Sequence, residues 1–223
     1  MRILAVDSAT EACSAALFED GAVSELYEVI GRGHADRLLP MVDSLLKTAG
    51  RTVADLDCVA FGRGPGGFTG LRIAAGMAQG LAAGAGIGVL PVSDLAALAA
   101  EGARIAGASR ILACLNARMG EVYWAAFDCS GARPIALGDE MLTQPGAVAL
   151  PGGESWFGVG HGFAAYPALK TRFDARLEGL EPALLPRAAD IARIAAVDFA
   201  AGLGLRPTEA LPVYLRNEVV HRR

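Results

Sequence analysis

The sequence has very little of the chemistry that commonly builds an active site. Only two of its 20 basic residues, Lys47 and Lys170, are lysines, so its positive charge is almost entirely arginine. Its three histidines, His34, His161 and His221, lie far apart in the chain and show no metal-ligand spacing. The formal net charge of −4 gives no general attraction for nucleic acid. These shortages argue against a histidine metal site and against independent binding of RNA.

The sequence also lacks a paired-cysteine motif and a secretory leader. Its four cysteines form no C-x-x-C, and Cys13, Cys58 and Cys114 fall inside apolar runs that are typical of strands. Buried free thiols are the preferred interpretation, and they suit a reducing compartment. Asp7 interrupts the first apolar run, which argues against a signal peptide. We therefore expect a cytoplasmic protein.

One apolar stretch, Ile73–Val92, is long enough to span a bilayer. Its only polar side chain is that of Gln79, but most of the stretch is alanine and glycine, and Pro91 lies near its end. We interpret it as a helix of a soluble domain followed by a buried strand.

Apolar runs and turn signals in the first half predict three antiparallel strands, then alternating helices and strands. Asp20-Gly21 is typical of a two-residue hairpin turn. Gly50 indicates the end of a helix, and Ser93 is a helix N-cap. Pro40 must lie in the first turn of its helix or kink the helix. The predicted elements are strands Arg2–Asp7, Cys13–Glu19 and Ala22–Val29, a helix from His34 to Ala49, a strand Cys58–Gly62, a helix from about Thr69 to Gly84, a strand Ile87–Val92 and a helix from Ser93 or Asp94.

The second half starts as the first does, with "RILACLNA" echoing "RILAVD". The predicted elements are paired strands Arg110–Ala117 and Gly120–Asp128, a strand near Phe157–Gly160, a helix from Ala188 to Ala201 and a final extended piece Leu211–Arg216. This duplication predicts an α/β fold of the actin-like, sugar-kinase and heat-shock ATPase architecture, with two similar subdomains that each hold a mixed sheet flanked by helices. We place them at residues 1–105 and 106–223, with the last helix or extended segment packing back on the first.

Two loops resemble phosphate-binding loops without satisfying their patterns. Gly62, Gly64 and Gly67 match G-x-G-x-x-G, but no acid follows at the required strand end, and Phe68 stands where a P-loop needs lysine. The glycine loop either holds an anion on backbone amides or is a tight strand-to-helix turn. The turn after Asp7 either contacts a nucleotide phosphate or is an Asx turn. The candidate loop residues are Asp7, Ser8, Thr10, Gly64, Gly66, Gly67 and Thr69.

The helix after the glycine loop carries glycine at every fourth position. Gly76, Gly80 and Gly84 share one face, beside a ridge of Ile73, Met77 and Leu81. Each interior glycine costs about 1 kcal/mol against alanine, so close approach by another element is expected to offset the cost. That element is either this protein's own sheet or a helix of a partner.

The loop "RMGE" joins the two paired strands of the second half. Arg118 and Glu121 carry opposite charges on either side of Met119-Gly120, so the loop is either a polar cleft loop or a hairpin turn with a surface ion pair of little energetic value.

Several motifs, taken together and in order, resemble the TsaB family of bacterial tRNA threonylcarbamoyladenosine biosynthesis proteins. They are "MRILAVDSATEACSAAL", "GHADRLLPMVDSLL", "GRGPGGFTGLRIAAGMAQGLA", "PVSDL", "NARMGEVYWA" and "PVYLRN". The resemblance is dense over Met1–Ala126 and thins between Ser130 and Leu185.

The resemblance implies a non-catalytic subunit. TsaB is similar to TsaD, the catalytic subunit, which binds a metal through H-x-x-x-H, and the two corresponding positions here are Asp94 and Leu98. Leucine cannot ligate a metal, and one carboxylate alone is a poor site. The resemblance therefore implies no metal, no stoichiometric cofactor and a vestigial phosphate loop, with ATP or ADP acting only through partners.

The resemblance also implies partners. TsaD transfers a threonylcarbamoyl group to the adenosine beside the anticodon, in tRNAs that read codons beginning with A. We expect this chain to bind and activate TsaD, to help dock the ATPase TsaE, to meet tRNA only through the complex and to form a homodimer when TsaD is absent. The expected partner interface consists of His34, Leu38, Val42, Leu45, Ile73, Gly76, Met77, Gly80 and Gly84.

Two other interpretations remain open at the level of sequence. The first is an active ATPase or small-molecule kinase of the same architecture, which would show magnesium-dependent nucleotide binding and turnover. The second is a peptidase, which is disfavoured because no nucleophile, base or metal site can be identified.

Overall fold

The first half of the chain forms a five-stranded sheet with strand order β3-β2-β1-β4-β5 in this computed structural model, which describes residues 1–152 and 155–216. Strands β1 to β3 are antiparallel, and β4 and β5 run parallel to β1. Its elements are β1 (Arg2–Asp7), β2 (Ala12–Glu19), β3 (Ala22–Val29), α1 (His34–Ala49), β4 (Cys58–Gly62), α2 (Phe68–Ala85), β5 (Gly88–Val92) and α3 (Asp94–Ala106).

The local signals account for these boundaries. Asp20 and Gly21 turn the β2–β3 hairpin with φ values of 49° and 95°, as their pairing predicts. Gly50 ends α1 in the left-handed conformation, and the Ser93 hydroxyl caps α3 by accepting from the Ala96 N–H at 3.1 Å. Pro40 lies in the second turn of α1 rather than the first, so the first of the two predicted placements is wrong.

The second half forms a sheet with strand order β11-β10-β6-β7-β8, and β9 also pairs with β7. Its elements are β6 (Arg110–Arg118), β7 (Glu121–Asp128), β8 (Ile135–Ala136), β9 (Met141–Thr143), β10 (Trp156–Val159), α4 (Gly162–Ala165), α5 (Ala168–Phe173), β11 (Leu177–Glu181) and α6 (Ala188–Ala200). This topology repeats the first sheet, with β6, β7, β10 and β11 in the places of β1, β2, β4 and β5, and with the third strand divided into β8 and β9. The predicted duplicated, actin-like α/β fold is confirmed.

Two helices connect the halves through one shared core. Helix α6 packs on β1 and β2 of the first sheet, and α3 packs on β6 of the second sheet. Both sheets and both helices contribute side chains to the same apolar cluster, which includes Ile3, Leu98, Ile111 and Ile191. The predicted subdomain limits of 1–105 and 106–223 stay a prediction.

The late, short elements differ most from the sequence expectations. Strands β8, β9 and β11 and helices α4 and α5 were not predicted, because short strands and helices depend on tertiary pairing more than on local pattern. The predicted extended piece Leu211–Arg216 contains no regular strand. Asn217, the last residue of the "PVYLRN" motif, and His221 lie outside the described residues.

Cysteine and membrane expectations can be compared directly with the fold. Cys13, Cys58 and Cys114 are buried free thiols in strands, as predicted, and Cys129 is a half-buried free thiol. Across residues 1–152 and 155–216, no helix has the length and apolar character that a membrane span needs.

Candidate functional site

The turn after β1 and the glycine loop before α2 contact each other through their backbones. The Gly67 N–H donates to the Ala9 carbonyl at 2.7 Å, and the Ser8 hydroxyl donates to the Gly70 carbonyl at 2.8 Å. A Cβ at Gly70 would lie 1.8 Å from the Ser8 carbonyl oxygen, and one at Gly66 would lie 2.5 Å from that of Ala9. The glycines are therefore needed so that the two backbones can approach, and the chain's own carbonyls occupy this end of α2.

The turn after β1 also satisfies its own polar groups. Asp7 Oδ1 accepts from the Ala9 N–H at 2.9 Å, and Thr10 Oγ1 accepts from the Ala12 N–H at 3.2 Å. Both are local side-chain-to-backbone bonds two residues apart, which is the pattern of Asx and Ser/Thr turns. This geometry supports the turn interpretation, while phosphate binding by these loops remains untested.

Asp7 and Asp94 form a fully buried carboxyl pair. Asp94 Oδ2 accepts from the Gly64 N–H, and a Cβ at Gly62 would lie 2.4 Å from Asp94 Oδ1 and 2.5 Å from Asp7 Oδ1. Glycine at position 62 therefore makes room for the pair. Asp7 Oδ2 and Asp94 Oδ1 accept no hydrogen bond from any donor in the described part of the chain.

The pair holds a proton near neutral pH. Burial raises the pKa of Asp7 to about 6, and hydrogen bonds from Asp94 and from backbone amides oppose that rise. Burial, together with the negative charge of Asp7, raises the pKa of Asp94 well above its ordinary value. Asp94 is therefore the protonated member, and it donates to Asp7.

Leu98, the second of the two positions that the sequence resemblance aligns with metal ligands, is a core residue. Leu98 is fully buried, and its Cδ2 would lie 2.7 Å from a Cβ at Gly160. Asp94, at the other position, is already engaged with Gly64 and Asp7. In residues 1–152 and 155–216, no cluster of three or more His, Cys, Asp or Glu side chains is arranged to hold a metal ion.

A cleft of about 800 Å³ opens between the two sheets. Both described histidines line it, one from each half of the chain. His161 Nε2 lies 3.6 Å from a carboxylate oxygen of Glu11, but burial lowers the pKa of His161 and favours the neutral ring. The cleft is lined by the Ser8–Glu11 turn, the start of α1, the glycine loop, the end of β6 and residues 213–216.

The predicted cleft loop lies at this cleft as a tight hairpin turn. Arg118, Met119 and Gly120 all have positive φ, at 61°, 53° and 81°. Glu121 does not pair with Arg118; it pairs with Arg216 at 2.8 Å. Arg118 faces the cleft and forms no ion pair with another described residue.

The glycine stripe of α2 is exposed. A Cβ at Gly76, Gly80 or Gly84 would have no neighbour within 4 Å, so the stripe does not pack against the described part of its own chain. Ile73 and Met77 beside it are half-buried. Of the two elements that could offset the cost of these glycines, the protein's own sheet is excluded for the described residues.

Three of the predicted partner contacts on α1 are wrong. Leu38, Val42 and Leu45 are at most 6 % exposed and pack in the core beneath the first sheet. Their spacing along α1 is that of a core face, and their burial leaves no area for a partner. His34, at the start of the same helix, is half-buried and lines the cleft.

Sequence reasoning missed the contacts that residues 213–216 make at the cleft. Tyr214 stacks near Phe68, with ring centroids 5.3 Å apart, and Arg72 lies 3.8 Å above the Phe68 ring. Arg216 reaches Glu121 from 95 residues further along the chain. No local pattern signals contacts at such separations, so only the fold could reveal them.

Comparisons with known proteins agree on one family. The sequence model of TsaD, tRNA N6-adenosine threonylcarbamoyltransferase, matches residues 27–202. The chain is 43% identical to the tRNA threonylcarbamoyladenosine biosynthesis protein TsaB of Escherichia coli K12, over 100% of this chain and 98% of that protein. It is 35% identical to the protein of the same name from Haemophilus influenzae, over 100% of this chain and 97% of that protein.

Solved structures give the same result. YeaZ from Pseudomonas aeruginosa superimposes with a TM-score of 0.88 at 44% sequence identity, over 96% of this chain and 99% of that one. A second Pseudomonas aeruginosa structure, described as similar to the peptidase YeaZ, gives the same values.

Proposed function

The chain belongs to the TsaB family of tRNA threonylcarbamoyladenosine biosynthesis proteins, and on that premise we propose that it acts as a non-catalytic subunit that binds and activates TsaD. Its place in this tRNA modification pathway follows from the family. Its lack of catalysis and its partners are the proposal.

The site that corresponds to the TsaD metal centre supports a non-catalytic role. Leu98 offers no ligand atom and is fully buried, and the Asp94 carboxyl is hydrogen-bonded to Gly64 and shares a proton with Asp7. The glycine loop offers no lysine for outer phosphates, and the Gly67 amide is already bonded to Ala9. These features also disfavour the alternative of an active ATPase or kinase.

The exposed glycine stripe is the observation that carries the partner proposal. Three glycines in the solvent-facing row of an 18-residue helix cost about 1 kcal/mol each against alanine. No described contact within the chain offsets this cost. A helix of another protein could approach the backbone closely at Gly76, Gly80 and Gly84, and TsaD is the partner that we propose. A second copy of this chain takes its place when TsaD is absent.

The proposed role in the complex is assembly. TsaD transfers the threonylcarbamoyl group to the adenosine beside the anticodon in tRNAs that read codons beginning with A. This chain stabilises TsaD and helps to form the docking place of TsaE, while ATP or ADP acts through those partners. The net charge of −4 supports contact with tRNA through the complex rather than through this subunit alone.

The test is the affinity for TsaD of a variant that fills the glycine stripe. In Gly80→Leu, the new side chain occupies space that the partner's backbone needs, and overpacking costs about 1–3 kcal/mol. That cost corresponds to an affinity about 5- to 150-fold weaker. Ala106→Leu, which adds the same side chain to an exposed position of α3, is the matched control and should bind TsaD as the wild type does. Equal affinity of Gly80→Leu and the control would refute this interface.

A further inference from the structure

Residues 210–216, which we call the strap, line the cleft with their last four members and contact both halves of the chain. Its first end is anchored to the first sheet and α2. Ala210 is fully buried, and its carbonyl accepts from Gln79 Nε2 at 2.9 Å. The Val213 N–H donates to the Arg63 carbonyl at 2.7 Å. This end is therefore held by backbone as well as side-chain contacts.

The middle of the strap is held by an aromatic cluster at the start of α2. The Tyr214 hydroxyl accepts from Arg72 Nε at 3.0 Å, and its ring lies against Phe68. The guanidinium of Arg72 lies over the Phe68 ring, 3.8 Å from its centroid, which is in the range of cation–π contacts. These contacts lie on the wall of the cleft that the first half of the chain supplies.

The far end of the strap reaches the other wall through one side chain. Arg216 donates to the Ala117 carbonyl at 3.1 Å and pairs with Glu121 at 2.8 Å. The side chains of Arg216 and Glu121 are 19 % and 29 % exposed, so the pair is partly shielded from solvent screening. Charged hydrogen bonds in such places are stronger than neutral ones.

We infer that the strap holds the cleft closed and that the Arg216–Glu121 pair is its latch. The shared core of α3 and α6 also joins the two halves, and it is the hinge about which we expect the cleft to open. The Glu11–His161 contact across the cleft is weak because the imidazole is neutral. The Arg63–Glu140 pair, at 3.1 Å, also joins the two halves.

The latch also sets the charge of the cleft. Glu121 is the strand-register partner of Arg118 across the hairpin turn, yet its carboxylate forms an ion pair with Arg216. With the latch closed, the Arg118 guanidinium faces the cleft without an ion pair to any described residue. Release of Arg216 frees Glu121 to neutralise Arg118. Closure of the strap and a positive cleft wall are therefore coupled, and this coupling does not depend on the proposed function.

The test uses two readouts on the full-length protein as a monomer. Hydrogen exchange at residues 211–216 reports release of the strap, and the rate of diethyl pyrocarbonate modification at His161 reports opening of the cleft. In Arg216→Ala we expect both rates to rise about tenfold, because a charged hydrogen-bond pair is lost. Arg206→Ala removes the neighbouring Arg206–Glu209 pair, upstream of the strap, and should leave both rates unchanged.

A second variant breaks the same ion pair from the other side, so the test remains valid if Arg216→Ala misfolds. Glu121→Gln keeps the size of the side chain and removes the latch charge from the other wall, so it should give the same two increases. If the strap exchanges faster but His161 is modified at the wild-type rate, the strap does not hold the cleft closed. Wild-type rates at both sites in both variants would show that Arg216 is not the latch.

Discussion

At the level of single residues, the Asp7–Asp94 pair is the most unusual feature of the chain. Two carboxyls are buried completely where the turn after β1, the glycine loop and the start of α3 meet. Asp94 also binds the Gly64 amide, so the pair couples these segments. The neighbouring basic side chains include His34, which lowers the pKa of Asp7, and Arg63, which lowers that of Asp94. Two ionised carboxylates that are buried side by side would repel each other strongly. A proton shared between them removes this repulsion and so stabilises the folded state.

The pair predicts a pH dependence of stability that Asp7→Asn removes. The pKa of Asp7 is about 6 in the folded protein and about 3.9 in the unfolded chain. Between these values the folded state binds more protons, so stability falls as pH rises from about 4 through about 6. Asparagine keeps an oxygen that can accept from the Ala9 amide and from the Asp94 carboxyl, and it carries no charge. At pH 8 the variant should be more stable than the wild type by about 1–3 kcal/mol, and at pH 4 the difference should vanish.

Denaturant unfolding between pH 4 and pH 8 measures this difference. Asp139→Asn, which neutralises an exposed carboxylate, should show no such trend. A difference between Asp7→Asn and wild type that stays constant over the whole range would contradict the shared proton.

At the level of elements, helices α2 and α3 contain glycines in opposite surroundings. In α2, Gly80 has open space where a side chain would be, whereas a Cβ at Gly102 of α3 would lie 2.4 Å from Val159 Cγ1. Glycine in α3 therefore allows the helix to pack against β10. The glycines of α2 make no such contact with the part of the chain that the structure describes, which is why we propose a partner for that face.

This contrast gives a prediction on the isolated monomer. Gly80→Ala should raise the stability by about 1 kcal/mol through helix propensity alone, which raises the melting temperature by about 2–4 °C for a chain of this size. Gly102→Ala gains the same propensity but overpacks Val159, so it should lower stability by about 1–3 kcal/mol. Thermal melts at a concentration where the protein is monomeric measure both changes. A melting temperature that falls in Gly80→Ala would mean that the stripe is packed within its own chain.

The elements also show what sequence alone can and cannot provide. The bounds of β1, β3 and β4 follow from apolar runs that end at turn residues, and these three strands were predicted to the residue. Leu38, Val42 and Leu45 of α1 were assigned to a partner from the family resemblance, and the sequence does not tell whether a partner or the chain's own sheet covers a helix face. The Asp7–Asp94 pair and the Arg216–Glu121 latch join distant segments, so only the fold brings them together.

At the level of the whole molecule, the two similar halves are joined by a core that includes one of the positions aligned with a metal ligand. Leu98 belongs to the core that joins the two sheets, so this position is now part of the structure that holds the halves together. The loops that could surround a nucleotide phosphate are bonded to each other. This arrangement fits a subunit whose contribution is made through its surface.

The purified protein should therefore contain no stoichiometric metal and should not hydrolyse ATP by itself. Elemental analysis and a phosphate-release assay measure these two properties. One zinc or iron per chain, or turnover that is lost in Asp7→Ala, would contradict the non-catalytic role.

Deletion of the protein in its host should remove threonylcarbamoyladenosine from tRNA while synthesis of the threonylcarbamoyl adenylate continues. Nucleoside analysis of bulk tRNA measures the first, and assay of the intermediate in extracts measures the second. Normal modified adenosine in the deletion strain would place the protein outside this pathway, and loss of the adenylate would place it at an earlier step.

The most direct test measures threonylcarbamoyl transfer to tRNA by purified TsaD, with TsaE, ATP and the adenylate, as this chain is added. We expect little product without the chain, a rate that saturates at one chain per TsaD, and a higher concentration for half-saturation with Gly80→Leu than with Ala106→Leu. A TsaD rate that does not change on addition of the chain, or product formed by the chain without TsaD, would contradict its role as the activating, non-catalytic subunit.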